Sequence, residues 1–157
     1  MTQVDVRAPV PGRAVPLSDV PDPVFAGGMV GSGTAIDPEA RPQEAVSPVD
    51  GRLMKLHPHA FVVLTPEGAG VLVHLGIDTV QLKGEGFELQ ASEGSEVRAG
   101  QPVVFWNPAA VAEGGRSPVC PVVVFDTPPD RLRDIKTDGD VAAGDVLFTW
   151  SSSGGPP

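Results

Sequence analysis

Hydrophobic residues along the chain occur in short runs, and glycine, proline or polar residues interrupt each of them. The clearest runs read FVVL, VLVHLGI, PVVFW, PVVVF and VLFTW. Short valine-rich runs bounded by turn residues are typical of β-strands. Many such strands, with little room for long helices, predict an all-β sandwich or barrel. The one segment where we expect a helical turn is PDRLRDIK, residues 129–136.

Two pairs of similar segments predict an internal duplication. Residues 95–106 align without gaps on residues 139–150, and residues 8–13 align on residues 47–52. The longer pair shares a V-x-A-G unit, in which the glycine is expected to turn the chain with a positive φ before an apolar strand. The residues that this alignment assigns to structure are Gly100, Gly144, Trp106 and Trp150.

The length of 157 residues predicts one domain. We expect it to span residues 1–150, with a flexible N-terminus at residues 1–5 and a disordered tail at residues 151–157. The tail reads SSSGGPP, which has the composition of a linker.

Composition and charge indicate which cellular compartment and which kinds of partner to expect. The chain has one cysteine, Cys120, which favours a reducing cytoplasmic setting and is expected to be a buried packing thiol. No segment is apolar and long enough for a signal peptide or a membrane helix, so we expect no direct membrane insertion. The net charge of −9 argues against nucleic-acid binding. It suits either a basic protein partner or simple solubility.

His74 stands in the middle of an apolar, strand-like run, GVLVHLGIDTV. We interpret residues 59–65 and 68–76 as an antiparallel hairpin around the turn TPEG, which has proline and glycine where a type I turn favours them. That register would place His59 directly opposite His74. Two adjacent imidazoles disfavour double protonation, so at least one should be neutral and able to act as a nucleophile or a ligand. Two unrelated histidines remain the alternative.

Two other chemistries remain open from the residues alone. His57 and His59 form H-x-H, and His74 and Asp78 form H-x-x-x-D, which together could ligate zinc as in a hydrolase. The order of the two motifs is the reverse of that in zinc peptidases. The segment around Lys55 weakly resembles the acceptor of a biotinyl or lipoyl carrier, although an acceptor lysine needs an exposed hairpin tip.

The run VLVHLGIDTVQLKGEGF, residues 71–87, resembles the signature of the glucose-type enzyme IIA family of the bacterial phosphotransferase sugar-uptake system. Residues 6–38, 47–61 and 93–106 resemble further segments of that family, so the resemblance extends over residues 6–150. It implies a flattened antiparallel β-sandwich built on a duplicated motif.

The resemblance also implies roles for individual residues. His74 matches the histidine that carries a phosphoryl group on Nε2, and His59 matches the second histidine, which stabilises the phosphohistidine. Phe25 and Leu72 match apolar positions around the site. Asp22 and Asp78 match acidic positions that meet arginines of a partner. The family usually has threonine where this chain has His57, and we expect His57 to supply an orienting hydrogen bond in its place.

The implied partners are the histidine-containing phosphocarrier protein as donor and a cysteine of the enzyme IIB domain of a sugar permease as acceptor. The sugar would be glucose or N-acetylglucosamine, and further regulatory protein targets are expected in such a family. No cofactor is implied; zinc bound by His59 and His74 would be incidental.

Overall fold

A computed structural model describes residues 2–152, and these residues form an all-β fold with only short helices, as the sequence predicts. The strands are β1 (Gln3–Arg7), β2 (Gly12–Val15), β3 (Gly31–Pro38), β4 (Gln43–Val46), β5 (Gly51–His57), β6 (Ala60–Leu64), β7 (Gly70–His74), β8 (Phe87–Leu89), β9 (Glu96–Val97), β10 (Pro102–Trp106), β11 (Cys120–Phe125), β12 (Leu132–Arg133), β13 (Asp140–Val141) and β14 (Val146–Ser151). The α-helices are α1 (Pro23–Ala26) and α2 (Pro108–Glu113), and the 3₁₀ turns are Leu17–Asp19, Thr79–Leu82 and Pro129–Arg131.

The strands pair in antiparallel fashion in three sheets. The largest is a curled eight-stranded sheet with the order β13-β2-β3-β11-β7-β6-β5-β9. Two three-stranded sheets have the orders β1-β14-β12 and β4-β10-β8. All strand pairs within residues 2–152 are antiparallel, both in hairpins such as β6–β7 and between strands far apart in the chain such as β1 and β14.

The main core lies on the inner face of the large sheet. Side chains alternate along β7, where Val71 and Val73 are buried in the core while Leu72 and His74 are half-buried on the opposite face. A smaller apolar cluster covers part of that outer face and includes Phe25, which α1 supplies. The outer face of β7 therefore has an apolar surface beside it, and His74 stands at the end of the strand.

The predicted duplication is present in the hydrogen bonds as well as in the sequence. Gly100 and Gly144 both have positive φ, 90° and 95°. The N–H of Gly100 donates to Ser47 at 2.9 Å, and the N–H of Gly144 donates to Ala8, the residue aligned with Ser47, at 2.9 Å. The flanking strands match too, since β9 pairs with β5 as β13 pairs with β2.

The hairpin around TPEG differs from prediction by one residue. The register pairs Ala60, not His59, with His74. The N–H of Gly68 closes the turn on the carbonyl of Thr65 at 3.0 Å, and Gly68 has φ +97°. A turn followed by a glycine with positive φ adds one residue to the loop, which shifts the register.

The chain ends and residues 129–136 also differ from the expected boundaries. Residues 3–5, which were expected to be flexible, belong to β1, which pairs with β14 as far as Ser151. Residue 151 therefore belongs to the sheet and not to a tail, because its backbone has a partner in Gln3. Residues 153–157 of the expected tail lie outside the described residues. In 129–136, a single 3₁₀ turn gives way to β12 at Leu132.

Candidate active site

His74 presents one ring nitrogen to the backbone and leaves the other free. Its Nδ1 lies 2.5 Å from the carbonyl oxygen of Gly76. A carbonyl can only accept, so Nδ1 carries the proton and donates. In the neutral ring, the lone pair that remains for chemistry is therefore on Nε2.

The backbone after His74 is shaped to make that hydrogen bond. Gly76 has φ +80°, and a Cβ there would lie 2.7 Å from Cγ2 of Thr79 and 3.0 Å from the carbonyl oxygen of Ser117. The buried Thr79 hydroxyl donates to the carbonyl of Leu75 at 2.8 Å, and the N–H of Ile77 donates to Ser117 at 2.9 Å. The turn that carries the Gly76 carbonyl is thus fixed on both sides.

His59 reaches His74 from a turn and not from a strand. His57 pairs with Ala60, so Pro58 and His59 form the tip of the β5–β6 hairpin. Side chains along a strand alternate between the two faces of the sheet, but His59 lies in a turn, where this alternation does not apply. The shifted register therefore does not place the His59 ring on the opposite face. The His59 and His74 ring centroids lie 5.2 Å apart with an interplanar angle of 70°.

Phe25 and two carboxylates complete the surroundings of His74. The Phe25 ring meets the His74 ring edge-on, with centroids 5.3 Å apart. Asp22 caps α1 by accepting a hydrogen bond from the N–H of Val24 at 2.9 Å. Asp78 begins the following 3₁₀ turn with φ 61°. Both carboxylates act electrostatically on His74.

The pKa values of both histidines lie below the 6.5 of a free imidazole. Burial lowers the pKa of His74, although the hydrogen bond to Gly76 and the charges of Asp22 and Asp78 oppose this effect. Burial also lowers the pKa of His59, and the neighbouring His74 and His57 add to the decrease. At neutral pH both rings are therefore uncharged, and Nε2 of His74 is available as a nucleophile.

The chain as a whole is similar to known proteins of one family. A family model described as phosphoenolpyruvate-dependent sugar phosphotransferase system, EIIA 1, matches residues 4–128. A glucose-specific EIIA component from Bacillus cereus is 41% identical over 140 residues, covering 88% of this chain and 82% of that protein. The corresponding protein from Staphylococcus aureus is 38% identical over 145 residues, covering 91% and 86%.

The fold of the chain is also similar to that of a solved structure. The structure of glucose permease IIA from Mycoplasma capricolum superposes with a TM-score of 0.86 at 34% identity, covering 95% of this chain and 96% of that one. The chain belongs to the EIIA 1 family of the sugar phosphotransferase system. The resemblance noted in the sequence is thereby confirmed, and an EIIA component is a phosphotransfer protein.

Membership of the EIIA family removes the carrier-module alternative, and the structure supplies a second reason. Lys55 lies within β5, three residues before Pro58, whereas an acceptor lysine would have to be at the hairpin tip itself. As for zinc, residues 2–152 contain no group of three or more histidine, cysteine, aspartate or glutamate side chains arranged to hold a metal ion. No helix among the described residues is long and apolar enough to cross a membrane.

The remaining residues that the sequence singled out have clear places in this EIIA chain. Leu72 lies two residues before His74 on the same face and packs against the cluster around Phe25. His57 is exposed and stacks on His59, with ring centroids 5.8 Å apart and an interplanar angle of 26°. Cys120 is fully buried, as predicted, and burial raises the pKa of its thiol to about 12.

Sequence reasoning missed the contribution of Gly76 and Thr79. Gly76 interrupts an apolar run directly after a candidate nucleophile, and a glycine in such a place often marks a close backbone approach. That signal was available in the letters HLG. The buried Thr79 hydroxyl gave no comparable signal, because threonine is common both in strands and in turns.

Proposed function

We propose that this chain is a glucose-specific EIIA component that carries a phosphoryl group on Nε2 of His74. The donor is a phosphohistidine of the histidine-containing phosphocarrier protein, and the acceptor is a cysteine of an enzyme IIB domain. The observation that supports this most strongly is the Nδ1 hydrogen bond to Gly76, which leaves Nε2 free beside His59. Glucose is the sugar named for the relatives described above, whereas none of them supports N-acetylglucosamine.

The transfer conserves atoms and charge in a simple way. The Nε2 lone pair of His74 forms a bond to phosphorus while the P–N bond of the donor breaks, and its electron pair returns to the donor nitrogen. The His74 ring becomes more positive as the new bond forms. The Gly76 carbonyl and the carboxylates of Asp22 and Asp78 stabilise that charge, since each of them raises the pKa of His74. Phosphoryl transfer has a loose transition state, so positioning and electrostatics account for most of the catalysis.

His59 is the group best placed to bind the phosphoryl oxygens. Its ring lies 5.2 Å from the His74 ring, and as a neutral imidazole it retains one N–H to donate. Arrival of a phosphoryl dianion would favour protonation of His59, which would strengthen the hydrogen bond. Phe25 packs against the His74 ring and helps to exclude water, which would otherwise hydrolyse the intermediate.

The surface around the site suits protein partners. Val24 and Val80 follow Asp22 and Asp78 by two residues each, and they expose 45% and 60% of their surface. Exposed apolar side chains beside acidic ones suit a partner that presents basic residues around an apolar centre. We place this reaction in the cytoplasm and propose no cofactor; zinc held by His59 and His74 would be incidental.

The test is phosphorylation of the purified chain by phosphoenolpyruvate, enzyme I and the carrier protein, followed by intact mass measurement. The wild-type chain should gain one phosphoryl group, and His74→Gln should gain none. His59→Gln should still be phosphorylated but should pass the group on more slowly, by about 10²-fold, because an amide cannot be protonated and so supplies only a neutral donor. A chelator should not change the transfer from the phosphorylated carrier protein to the chain. Full phosphorylation of His74→Gln would refute the proposal.

A further inference from the structure

Three imidazole rings stand in a row in this structure, and the outermost has no part in the transfer described above. His57 stacks on His59, and His59 meets His74 edge-on. We propose that His57 is a positioning residue that fixes the orientation of the His59 ring by stacking against it. This inference rests on the proposed function, since the orientation matters for phosphoryl transfer only if His59 faces a group on His74.

His59 needs such support because of its place in the fold. It belongs to the two-residue tip of the β5–β6 hairpin, where no strand neighbour constrains its side chain. Its ring makes no hydrogen bond within residues 2–152, and its aromatic contacts there are with His57 and His74. The contact with His74 is edge-on, at 70°, and is therefore not a stack against the faces of the His59 ring.

His57 is well placed to cover one of those faces. It is the last residue of β5 and its backbone pairs with Ala60, so its ring is attached to the sheet and not to the turn. The two rings are within 26° of parallel. This is a stacking contact, and the described residues contain no hydrogen bond from His57 to His59 or to His74. The orienting hydrogen bond expected from the sequence is thus replaced in the proposal by a stack.

Because His57 can carry a charge, its stack on His59 has a second consequence, which an uncharged side chain in the same place would not have. The charge of a protonated His57 opposes protonation of His59, which is one of the causes that lower the pKa of His59. Replacing His57 by an uncharged aromatic ring should therefore keep the orientation of His59 and raise its pKa. Replacing it by alanine should raise that pKa and also release the ring.

The experiment compares His57→Ala with His57→Phe, and uses Arg52→Ala, an exposed position on the same strand, as a matched control. Because His57 is exposed, each variant should fold. The rate of phosphoryl transfer from His74 to the enzyme IIB domain should fall about 3- to 10-fold in His57→Ala through loss of orientation. It should stay within about twofold of wild type in His57→Phe and in the control.

A nuclear magnetic resonance titration of the unphosphorylated chain provides a readout that needs no transfer. The His59 ring protons should show an upfield ring-current shift in wild type and in His57→Phe, and lose it in His57→Ala. Absence of that shift in wild type would overturn the inference. So would an unchanged transfer rate in His57→Ala, or an equal loss in His57→Phe. A wild-type chain that accepts no phosphoryl group would instead refute the proposed function, while the ring-current result would still decide the stack.

Discussion

The tautomer of a single ring determines what His74 can do. The Gly76 carbonyl accepts from Nδ1, so the nucleophilic lone pair is on Nε2, which makes no hydrogen bond to the described residues. A leucine in the same place would pack equally well in the strand. The cost of an imidazole beside the core is offset by this hydrogen bond, which fixes the ring, and by the charges of the nearby carboxylates.

Substitution of Gly76 should lower both the stability of the fold and the rate of phosphoryl transfer by His74. In Gly76→Ala, the Cβ would meet Thr79 and Ser117, and the residue would keep an unfavourable positive φ. We expect a loss of about 2–4 kcal/mol in the free energy of unfolding and a slower phosphoryl transfer, because the carbonyl must move away from Nδ1. Denaturant unfolding and single-turnover transfer measure the two effects.

The matched control for that substitution is Gly86→Ala. Gly86 has φ +86°, close to that of Gly76, but a Cβ there meets nothing within 4 Å. The loss of stability should be about 1 kcal/mol, from backbone strain alone, with no change in transfer. Equal effects of the two substitutions on transfer would show that the packed turn at Gly76 has no special role.

The lowered pKa values of His59 and His74 predict how the chain responds to acid. Between pH 6.5 and the lower folded-state values, the unfolded chain binds more protons than the folded one. Stability should therefore be complete above pH 6.5 and decrease as the pH falls through that window. In a titration followed by nuclear magnetic resonance, both rings should have midpoints below 6.5. A midpoint above 6.5 for His74 would contradict the burial assigned to it.

At the level of elements, the hairpins decide which rings meet. The sequence correctly predicted that the strands flanking TPEG form a hairpin and that His59 and His74 lie together. It gave the wrong register, because the extra residue at Gly68 depends on backbone geometry that the letters TPEG do not specify. His59 still reaches His74 because it lies in a turn. Sequence reasoning identified the participants but could not derive their geometry.

Substitutions of Asp22, which caps the short helix α1, distinguish the effect of the cap on stability from the effect of the charge on docking. Asp22 caps α1 and also places a negative charge near His74. Asparagine caps as well as aspartate, so Asp22→Asn should leave stability unchanged, whereas Asp22→Ala should cost about 1 kcal/mol. Both variants should slow association with the carrier protein. Stopped-flow binding and thermal unfolding measure the two effects; if Asp22→Asn binds as fast as wild type, the charge of Asp22 has no part in docking.

At the scale of the whole molecule, the duplication was the feature that sequence predicted best. In each repeat a glycine with positive φ donates the same backbone hydrogen bond, so the constraint is local and is visible in the sequence as V-x-A-G. The sheet order could not be predicted in this way. It depends on which strands far apart in the chain bury their apolar faces together, as β11 does between β3 and β7.

The net charge of −9 predicts a strong salt dependence of partner binding. A partner with arginines around its histidine should be attracted over distances that salt screens. The association rate with the carrier protein should fall at least about tenfold between about 50 and 500 mM salt, with a smaller change in the dissociation rate. A rate that does not depend on salt would show that apolar contacts such as those of Val24 and Val80 govern docking.

The most direct test of the account is to locate the phosphoryl group on the ring. The chain, labelled with ¹⁵N in its histidines, would be phosphorylated by the carrier protein and observed by phosphorus and nitrogen magnetic resonance. The Nδ1 hydrogen bond to Gly76 predicts a single P–N bond, on Nε2 of His74, with His57 and His59 unmodified. A phosphoryl group on Nδ1 of His74, or on either of the other two histidines, would contradict the account.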